Sequence, residues 1–409
     1  MYSSLDKIEV QISSLVPGGN GLARLNDGRA VFVPFTLPGE RVLVRIHHEK
    51  KDYAQAELLK IIQPSSLRIQ PRCRHFGVCG GCDLQHVSYD RQLEIKQNFL
   101  RQQFSRLKGV ADCLQPVIPS PEEWNYRNSI QLHLDKDGNS GYQKAGSHEI
   151  ILVQECFLAK DFLWEIRLGF NFEPGCNVDR VILRGSSPED ILMVLESDIV
   201  ELPEMEVDFP VSVVHSSLNE QVILAGEDFF VINIKDRSFR VSSGSFFQVN
   251  TGQAEKMVEI VMDLLQEAKG ELLEIFSGVG LFTAFLAPRF KHIVCLEQSS
   301  TACANFADNL DEFDHIDLYQ GDAAKILPFL NSSPDAILCD PPRAGLTAGE
   351  VDWIIRSPAS WLVYVSCDPA TLVRDLKLLL AGGWREEKII PLDMFPQTAH
   401  IETCTLLRR

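Results

Sequence analysis

Short runs in which apolar and polar residues alternate open the chain, at residues 7–15, 29–34, 41–47 and 54–62, broken by Gly18, Gly19, Gly28, Pro34, Pro38 and Gly39. Closely spaced strands with turn residues between them predict a small Greek-key barrel of the OB type over residues 1–62. Such barrels often grip single-stranded or looped nucleic acid, although the fold alone also serves as a passive module. Residues 89–107 carry Leu93, Phe99, Phe104 and Leu107 at roughly helical spacing and predict a long polar helix. Strand-like runs dominate residues 117–240 (129–134, 181–184, 191–195 and 211–215 among them), so a middle α+β domain with an antiparallel sheet is expected. From Ser245 onward the texture changes. Helical patterns at 253–268, 281–289, 301–309 and 369–380 alternate with apolar strands at 271–275, 292–296, 317–320, 336–339, 361–365 and 388–392. That alternation predicts a doubly wound, Rossmann-like α/β domain. The expected division is 1–62 for the barrel, 63–88 with 118–240 for the middle domain, and 89–117 with 241–409 for the Rossmann-like domain.

The first strand of that last domain runs into a glycine turn, Leu272-Leu273-Glu274-Ile275-Phe276-Ser277-Gly278-Val279-Gly280. Glycines there let the backbone pass close to a ligand at the carboxyl end of the strand. Taken alone, the turn fits a nicotinamide enzyme equally well. The ends of the next three strands decide between them. Glu297 ends the second strand, where a carboxylate can accept from both ribose hydroxyls; Asp322 follows the third and can address an adenine edge; Asp340-Pro341-Pro342 ends the fourth. Acids after three successive strands, with no Walker-type lysine, suit adenosine joined to a cationic sulfonium better than a pyrophosphate.

Cys367 stands just past the apolar run Trp361-Leu362-Val363-Tyr364-Val365, at a turn before a helix. Core packing is the commonest fate of a cysteine, but helix-start N–H groups there are expected to lower the thiol pKa. A thiolate solves a chemical problem, because C5 of uracil is too poor a nucleophile to take a methyl group directly. Addition at C6 makes C5 carbanion-like, and a base must afterwards remove the C5 proton. Phe395-Pro396-Gln397-Thr398-Ala399-His400-Ile401-Glu402 offers two candidates, Glu402 first and His400 second.

Charge sharpens the picture. The chain has a net charge of −17, yet residues 1–110 hold 16 Lys/Arg against 10 Asp/Glu, and the remainder holds 23 against 46. A basic front can meet phosphate while an acidic body keeps the protein soluble. Nothing resembles a signal peptide or a membrane span, which predicts a cytoplasmic location and no membrane partner. Eleven cysteines in such a protein predict reduced thiols with a metal or catalytic site. Cys73, Cys79 and Cys82 share one glycine-rich loop, and with Cys156 they offer four thiolates for zinc or an iron–sulfur cluster.

Ser245-Phe246-Phe247-Gln248-Val249-Asn250, the glycine turn, Asp340-Pro341-Pro342-Arg343-Ala344-Gly345, Ser366-Cys367-Asp368-Pro369 and the Phe395 to Glu402 segment together resemble the RNA uracil-C5 methyltransferase family. The resemblance implies S-adenosyl-L-methionine contacts at Gln248, Phe276, Glu297 and Asp340, a nucleophile at Cys367 and a proton acceptor at Glu402. Gly21-Leu22-Ala23 and Val31-Phe32-Val33-Pro34 through Leu37-Pro38-Gly39-Glu40 resemble the family's TRAM barrel. Similar members carry a [4Fe-4S] cluster, which the resemblance assigns to Cys73, Cys79, Cys82 and Cys156, presenting Arg68, Arg72 and Arg74 to RNA. Barrel and cluster together resemble members acting on large-subunit rRNA, and a monomer is expected. Asp368 departs from the family's usual Asn after the nucleophile, and Glu274 from its usual Asp. Two other readings stand beside this one. An RNA cytosine-C5 methyltransferase would carry a second Cys where Pro342-Arg343 stands, and a non-catalytic RNA-binding scaffold would have no use for Cys367 and Glu402.

Overall fold

A computed structural model of the chain describes residues 7–107, 109–170, 172–202, 210–218 and 220–409; the first six residues of the expected barrel lie outside it. The chain forms two units, one of residues 1–100, 142–155 and 395–400, the other of 101–141, 156–394 and 401–409.

In the first unit, β1 (Lys7–Gln11), β2 (Ser14–Leu15), β3 (Gly21–Arg24), β4 (Ala30–Val33), β5 (Arg41–Glu49) and β6 (Tyr53–Gln63) pair in the order β1-β5-β6-β4-β3-β2. All pairs are antiparallel except β4 with β6. Period-two alternation explains the packing: Val42, Val44 and Ile46 of β5 point inward beside Val31, Val33, Ala54 and Ala56, while Arg41 and Arg45 stay outside. One carboxylate is buried among these residues. Glu40 accepts from Leu37 N (2.8 Å), Ser65 N (3.1 Å), Arg68 Nε (2.6 Å) and Arg68 Nη2 (2.8 Å). Arg68 therefore does not face solvent as expected from its neighbours Arg72 and Arg74; it is held inward by a bidentate pair.

The helix expected at 89–107 is α1 (Tyr89–Phe104). Gln92 and Lys96, both buried, grip the segment 395–400: Gln92 Nε2 donates to Gln397 Oε1 (2.8 Å), Gln397 N to Gln92 Oε1 (2.9 Å), and Lys96 Nζ to Phe395 O (3.0 Å).

The second unit opens with β7 (Ser129–Leu134) and β8 (Ser140–Gln143), the end of which returns to the first unit and pairs there with β9 (Ile150–Ile151). After α2 (Asp161–Leu168) come β10 (Arg180–Ser187), β11 (Asp190–Glu196), β12 (Ser212–Ser216) and β13 (Gln221–Ala225), in the order β13-β12-β11-β10-β7-β8. The expected antiparallel arrangement fails at one pair, since β11 and β12 run parallel. A parallel pair needs a long connection, and β11 ends at Glu196 while β12 begins only at Ser212. A hairpin, β14 (Phe229–Ile234) and β15 (Arg237–Ser242), leads onward.

Next stand α3 (Thr251–Leu264), β16 (Glu271–Ile275), α4 (Leu281–Leu286), β17 (His292–Glu297), α5 (Ser300–Asn309), β18 (Ile316–Gln320), α6 (Ala323–Ile326), β19 (Ala336–Cys339), α7 (Ala348–Arg356), β20 (Trp361–Ser366), α8 (Pro369–Ala381), β21 (Arg385–Leu392) and β22 (Glu402–Arg408). Their sheet order is β18-β17-β16-β19-β20-β22-β21, with only β22 antiparallel to its neighbours. The central strands β16, β19 and β20 are buried on both faces, as a sheet covered by helices requires, which is why they read as continuous apolar runs. Helix α7 was not expected from its apolar spacing, yet a capping box of Thr347 and Glu350 announces it. No helix among the described residues is long and apolar enough to cross a membrane.

The Glu40–Arg68 pair makes a testable demand. Glu40→Ala strands Arg68 half-enclosed and should destabilise the barrel by about 3–5 kcal/mol. Hydrogen exchange in β5 would show it as lost protection. Burial pushes the Glu40 carboxyl up, but Arg68 and the two backbone donors more than offset this and hold it below its ordinary 4.5. A carboxylate lowered on folding contributes stability above its unfolded value, so barrel protection should fall as pH drops below about 4.5 in wild type and not in Glu40→Gln.

Candidate active site

A parallel sheet puts the carboxyl ends of its strands on one edge, where open α/β sheets bind ligands. Phe276 and the glycine turn follow β16, Glu297 ends β17, Asp322 follows β18, Asp340 follows β19 and Cys367 follows β20. Because β22 runs the other way, its first residue, Glu402, lies at that same edge. The register pairs Ser366 with Thr403, so the next step along both strands sets Cys367 opposite Glu402.

The glycine turn is built for close approach. Phe276 and Gly278 adopt left-handed backbone (φ 66° and 56°), and a side chain added at Gly278 would meet nothing within 4 Å. Ser277 Oγ is buried with no hydrogen-bond partner among the described residues. Glu297 spans the turn, accepting from Gly278 N (2.9 Å) and Ser299 N (2.7 Å) on separate oxygens, which leaves each a further lone pair. An orphaned hydroxyl, an open glycine and a strand-end carboxylate fit the adenosine-plus-sulfonium ligand. Asp322 caps α6 instead, accepting from Ala324 N at 3.0 Å. Gln248 is buried ahead of α3, its carbonyl taking a bond from Asn128 Nδ2 (3.0 Å). Its neighbour Asn250 caps α3 and donates to Met394 O (3.1 Å).

Acids crowd this edge in low dielectric. Burial pushes Asp340 up to about 7. Burial, with Asp340 and Glu297 adding to it against a bond from Thr283, pushes Glu274 up to about 8. Burial and then Asp340 hold Glu402 well above the carboxylate range, and Arg343 opposes them. Cys367 rises to about 11 through burial, Glu402 and Asp340, again opposed by Arg343. This overturns the expected lowering by helix-start N–H groups. The physical reason is burial first, then the carboxylates of Glu402 and Asp340; the helix-start N–H groups of Ala370 and Thr371 are meanwhile bonded to Asp368 Oδ1 (2.9 Å each). An Asn would cap equally well, which accounts for that departure from the family pattern.

Arg343 was not singled out as a site residue from the sequence, although it stands in the turn after the fourth strand. Its loop is fastened to α8: Arg374 Nη2 donates to Ala344 O (2.9 Å) and Leu346 O (3.0 Å), and Asp375 accepts from Leu346 N (2.9 Å) and Tyr364 Oη (2.8 Å). The helix that begins beside Cys367 thus also holds the loop carrying Asp340 and Arg343.

Of the two candidate bases, Glu402 is buried on β22, whereas His400 is exposed and ends the segment belonging to the first unit. Cys73, Cys79 and Cys82 lie half-buried in one loop of the first unit; Cys156 opens a segment of the second. Two sulfurs accept hydrogen bonds, Cys79 Sγ from Gly81 N (3.4 Å) and Cys82 Sγ from Gln85 Nε2 (3.1 Å). Among the described residues no three His, Cys, Asp or Glu side chains are gathered into a set that could hold a metal ion.

Residues 194–321 and 329–409 match the family described as tRNA (uracil-5-)-methyltransferase, and residues 6–59 match the TRAM domain. The chain belongs to the tRNA (uracil-5-)-methyltransferase family. It is 32% identical to an uncharacterized RNA methyltransferase of Streptomyces coelicolor, over 98% of this chain and 93% of that one. An RNA methyltransferase of Halalkalibacterium halodurans is 31% identical, with 98% and 97% covered. Among solved structures, the Pyrococcus abyssi tRNA (uracil-54, C5)-methyltransferase in complex with S-adenosyl-L-homocysteine superposes with a TM-score of 0.75 at 27% identity, covering 97% of this chain and 99% of that one. The chain is therefore an S-adenosylmethionine-dependent methyltransferase of this family, with an N-terminal TRAM domain.

The electrostatics can be checked on the thiol itself. Alkylation of Cys367 by iodoacetamide, followed by peptide mass spectrometry, should rise about tenfold per pH unit and level off only near 11. Glu402→Gln removes one of the carboxylates that raise the thiol and should move that plateau to lower pH.

Proposed function

We propose that this enzyme methylates C5 of a uridine in RNA, with Cys367 as nucleophile and Glu402 as base. The observation that carries the reading is the β20–β22 register, which sets the thiol and the carboxylate opposite one another at the edge lined by Phe276, Glu297 and Asp340. When bound, S-adenosylmethionine supplies an electrophilic methyl group. The Cys367 thiolate adds to uracil C6 and leaves C5 electron-rich. Once C5 carries its new methyl group, Glu402 takes the C5 proton, the C5–C6 double bond re-forms and the thiolate departs. A buried carboxylate with a raised pKa is a strong base once ionised, and Arg343 is the cation beside both groups that favours their charged forms. Gln248 shares the donor site in this reading.

Barrel and cysteine loop together favour large-subunit rRNA as the substrate. A tRNA is the second reading, favoured by the P. abyssi enzyme, whose name specifies tRNA and whose similarity extends along nearly the whole chain. Mapping 5-methyluridine in both RNA classes from a deletion strain separates them. Cys367→Ala should abolish turnover and leave donor binding within about twofold, since the thiol acts on the base. With 5-fluorouridine RNA the wild type should form a stable covalent adduct, because fluorine does not leave as a proton does. Glu402→Gln should accumulate a methylated adduct, and normal turnover in that variant would send the search for the base to His400.

Cys73, Cys79, Cys82 and Cys156 would hold the [4Fe-4S] cluster. Three thiols in one short loop and N–H bonds to two of the sulfurs support this, since such bonds are a recognised means of tuning cluster thiolates. No step of the reaction calls for an electron, so the role is structural. Anaerobically purified protein should be brown with about four irons per chain. Substituting any of the four should bleach it, and Cys113→Ser or Cys176→Ser should not. Stoichiometric zinc without iron would replace the cluster, and a metal-free active protein would remove the site altogether.

A further inference from the structure

Within the first unit, a cavity of about 500 Å³ opens between the barrel and the cysteine loop, of the size that takes a small ring system. Phe35 and Phe76 line it, with ring centroids 5.1 Å apart at 72°, together with Val78, His47, Arg68 and Lys144. Phe35 holds a left-handed backbone (φ 61°), a conformation that disfavours a bulky side chain. What holds it there is the buried ion pair: Arg68 Nη2 donates to Phe35 O at 2.7 Å while Glu40 fixes the guanidinium. Phe76 is held as firmly. Its loop is stitched to residues 143–145 by Gly80 N to Gln143 O (3.0 Å) and Ala145 N to Val78 O (2.9 Å), and buried His86 backs its ring at 5.4 Å.

We propose that this cavity receives an unpaired nucleobase of the RNA substrate, stacked on Phe76 beside Phe35, at a site separate from the catalytic edge. The inference rests on the RNA reading above. The wall chemistry favours a base over a phosphate. Arg68 is neutralised by Glu40, Lys144 by Glu149 at 3.1 Å, and Glu57 by Arg45, so the lining is aromatic and nearly charge-balanced. The basic excess of residues 1–110 favours a polyanion as the molecule that brings such a ring. Aromatic platforms of this kind bind bases with little dependence on sequence.

The test uses the full-length protein with a mixed-sequence single-stranded RNA of about twenty nucleotides, longer than the span one such barrel covers, and the blunt duplex of the same sequence. Phe76→Leu keeps the apolar bulk and removes the flat ring; Phe76→Tyr keeps the ring. Phe76→Leu should weaken single-strand binding about tenfold, leave duplex binding unchanged and leave the salt dependence of affinity unchanged, since no phosphate contact is lost. Phe76→Tyr should bind as wild type. Photo-crosslinking of wild type with 4-thiouridine in the single strand should mark the peptide containing Phe76, a readout that stands even if Phe76→Leu misfolds. Wild-type affinity in a folded Phe76→Leu, or crosslinks confined to other peptides, overturns the pocket while leaving RNA methylation in place. A wild type that binds neither RNA overturns both.

Discussion

The reversed strand β22 is the constraint on which the catalytic half depends. Parallel strands deliver their carboxyl ends to one edge, but in the proposed mechanism a nucleophile at the end of β20 also needs a base placed without a second long crossover. An antiparallel neighbour supplies it. The residue that begins β22 meets the residue that ends β20, and the pairing of Ser366 with Thr403 makes those two Cys367 and Glu402. A slip of one residue would turn Glu402 to the opposite face, away from Cys367. The register is secured on the far side too, where β21 pairs Leu392 with Glu402.

That placement brings an electrostatic burden. Burial pushes Glu274, Asp340 and Glu402 upward, and Asp340 adds to the rise of the other two. A cationic sulfonium is the complementary charge, which gives a physical reason for so many acids around a donor that carries no phosphate. Cys367 shares the field, so thiolate formation draws on Arg343 and on whatever positive charge the edge receives, and not on the start of α8, whose N–H groups are taken by Asp368.

The sequence displays most of this plan because strand ends are chemically conspicuous. Apolar runs ending in Phe276, Glu297, Asp340 and Cys367 can be read directly, and the strands at 271–275 and 336–339 match β16 and β19 residue for residue. What escapes it depends on pairing across long separations. The parallel β11–β12 pair leaves no local mark, and nothing near Arg68 says that Glu40, 28 positions away, has already taken it. The thiol pKa misleads for a related reason: burial of Cys367 and the nearness of Glu402, distant in sequence, outweigh its place before a helix.

Three bulky residues are held in left-handed backbone, two in the first unit and one in the second. Phe276 begins the donor turn, Gln397 lies five residues before Glu402, and Phe35 lines the barrel cavity (φ 66°, 69° and 61°). Each is fixed by bonds that a relaxed chain would not need. Phe276 N donates to Leu296 O (2.9 Å), Gln397 exchanges bonds with Gln92 and accepts from Asp83 N and Leu84 N (2.9 and 3.0 Å), and Phe35 hangs on the Glu40–Arg68 pair. Strain of this kind persists only where the surroundings over-determine it. Asp83 directly follows Cys82, so the cysteine loop is part of what holds Gln397 in place within the first unit.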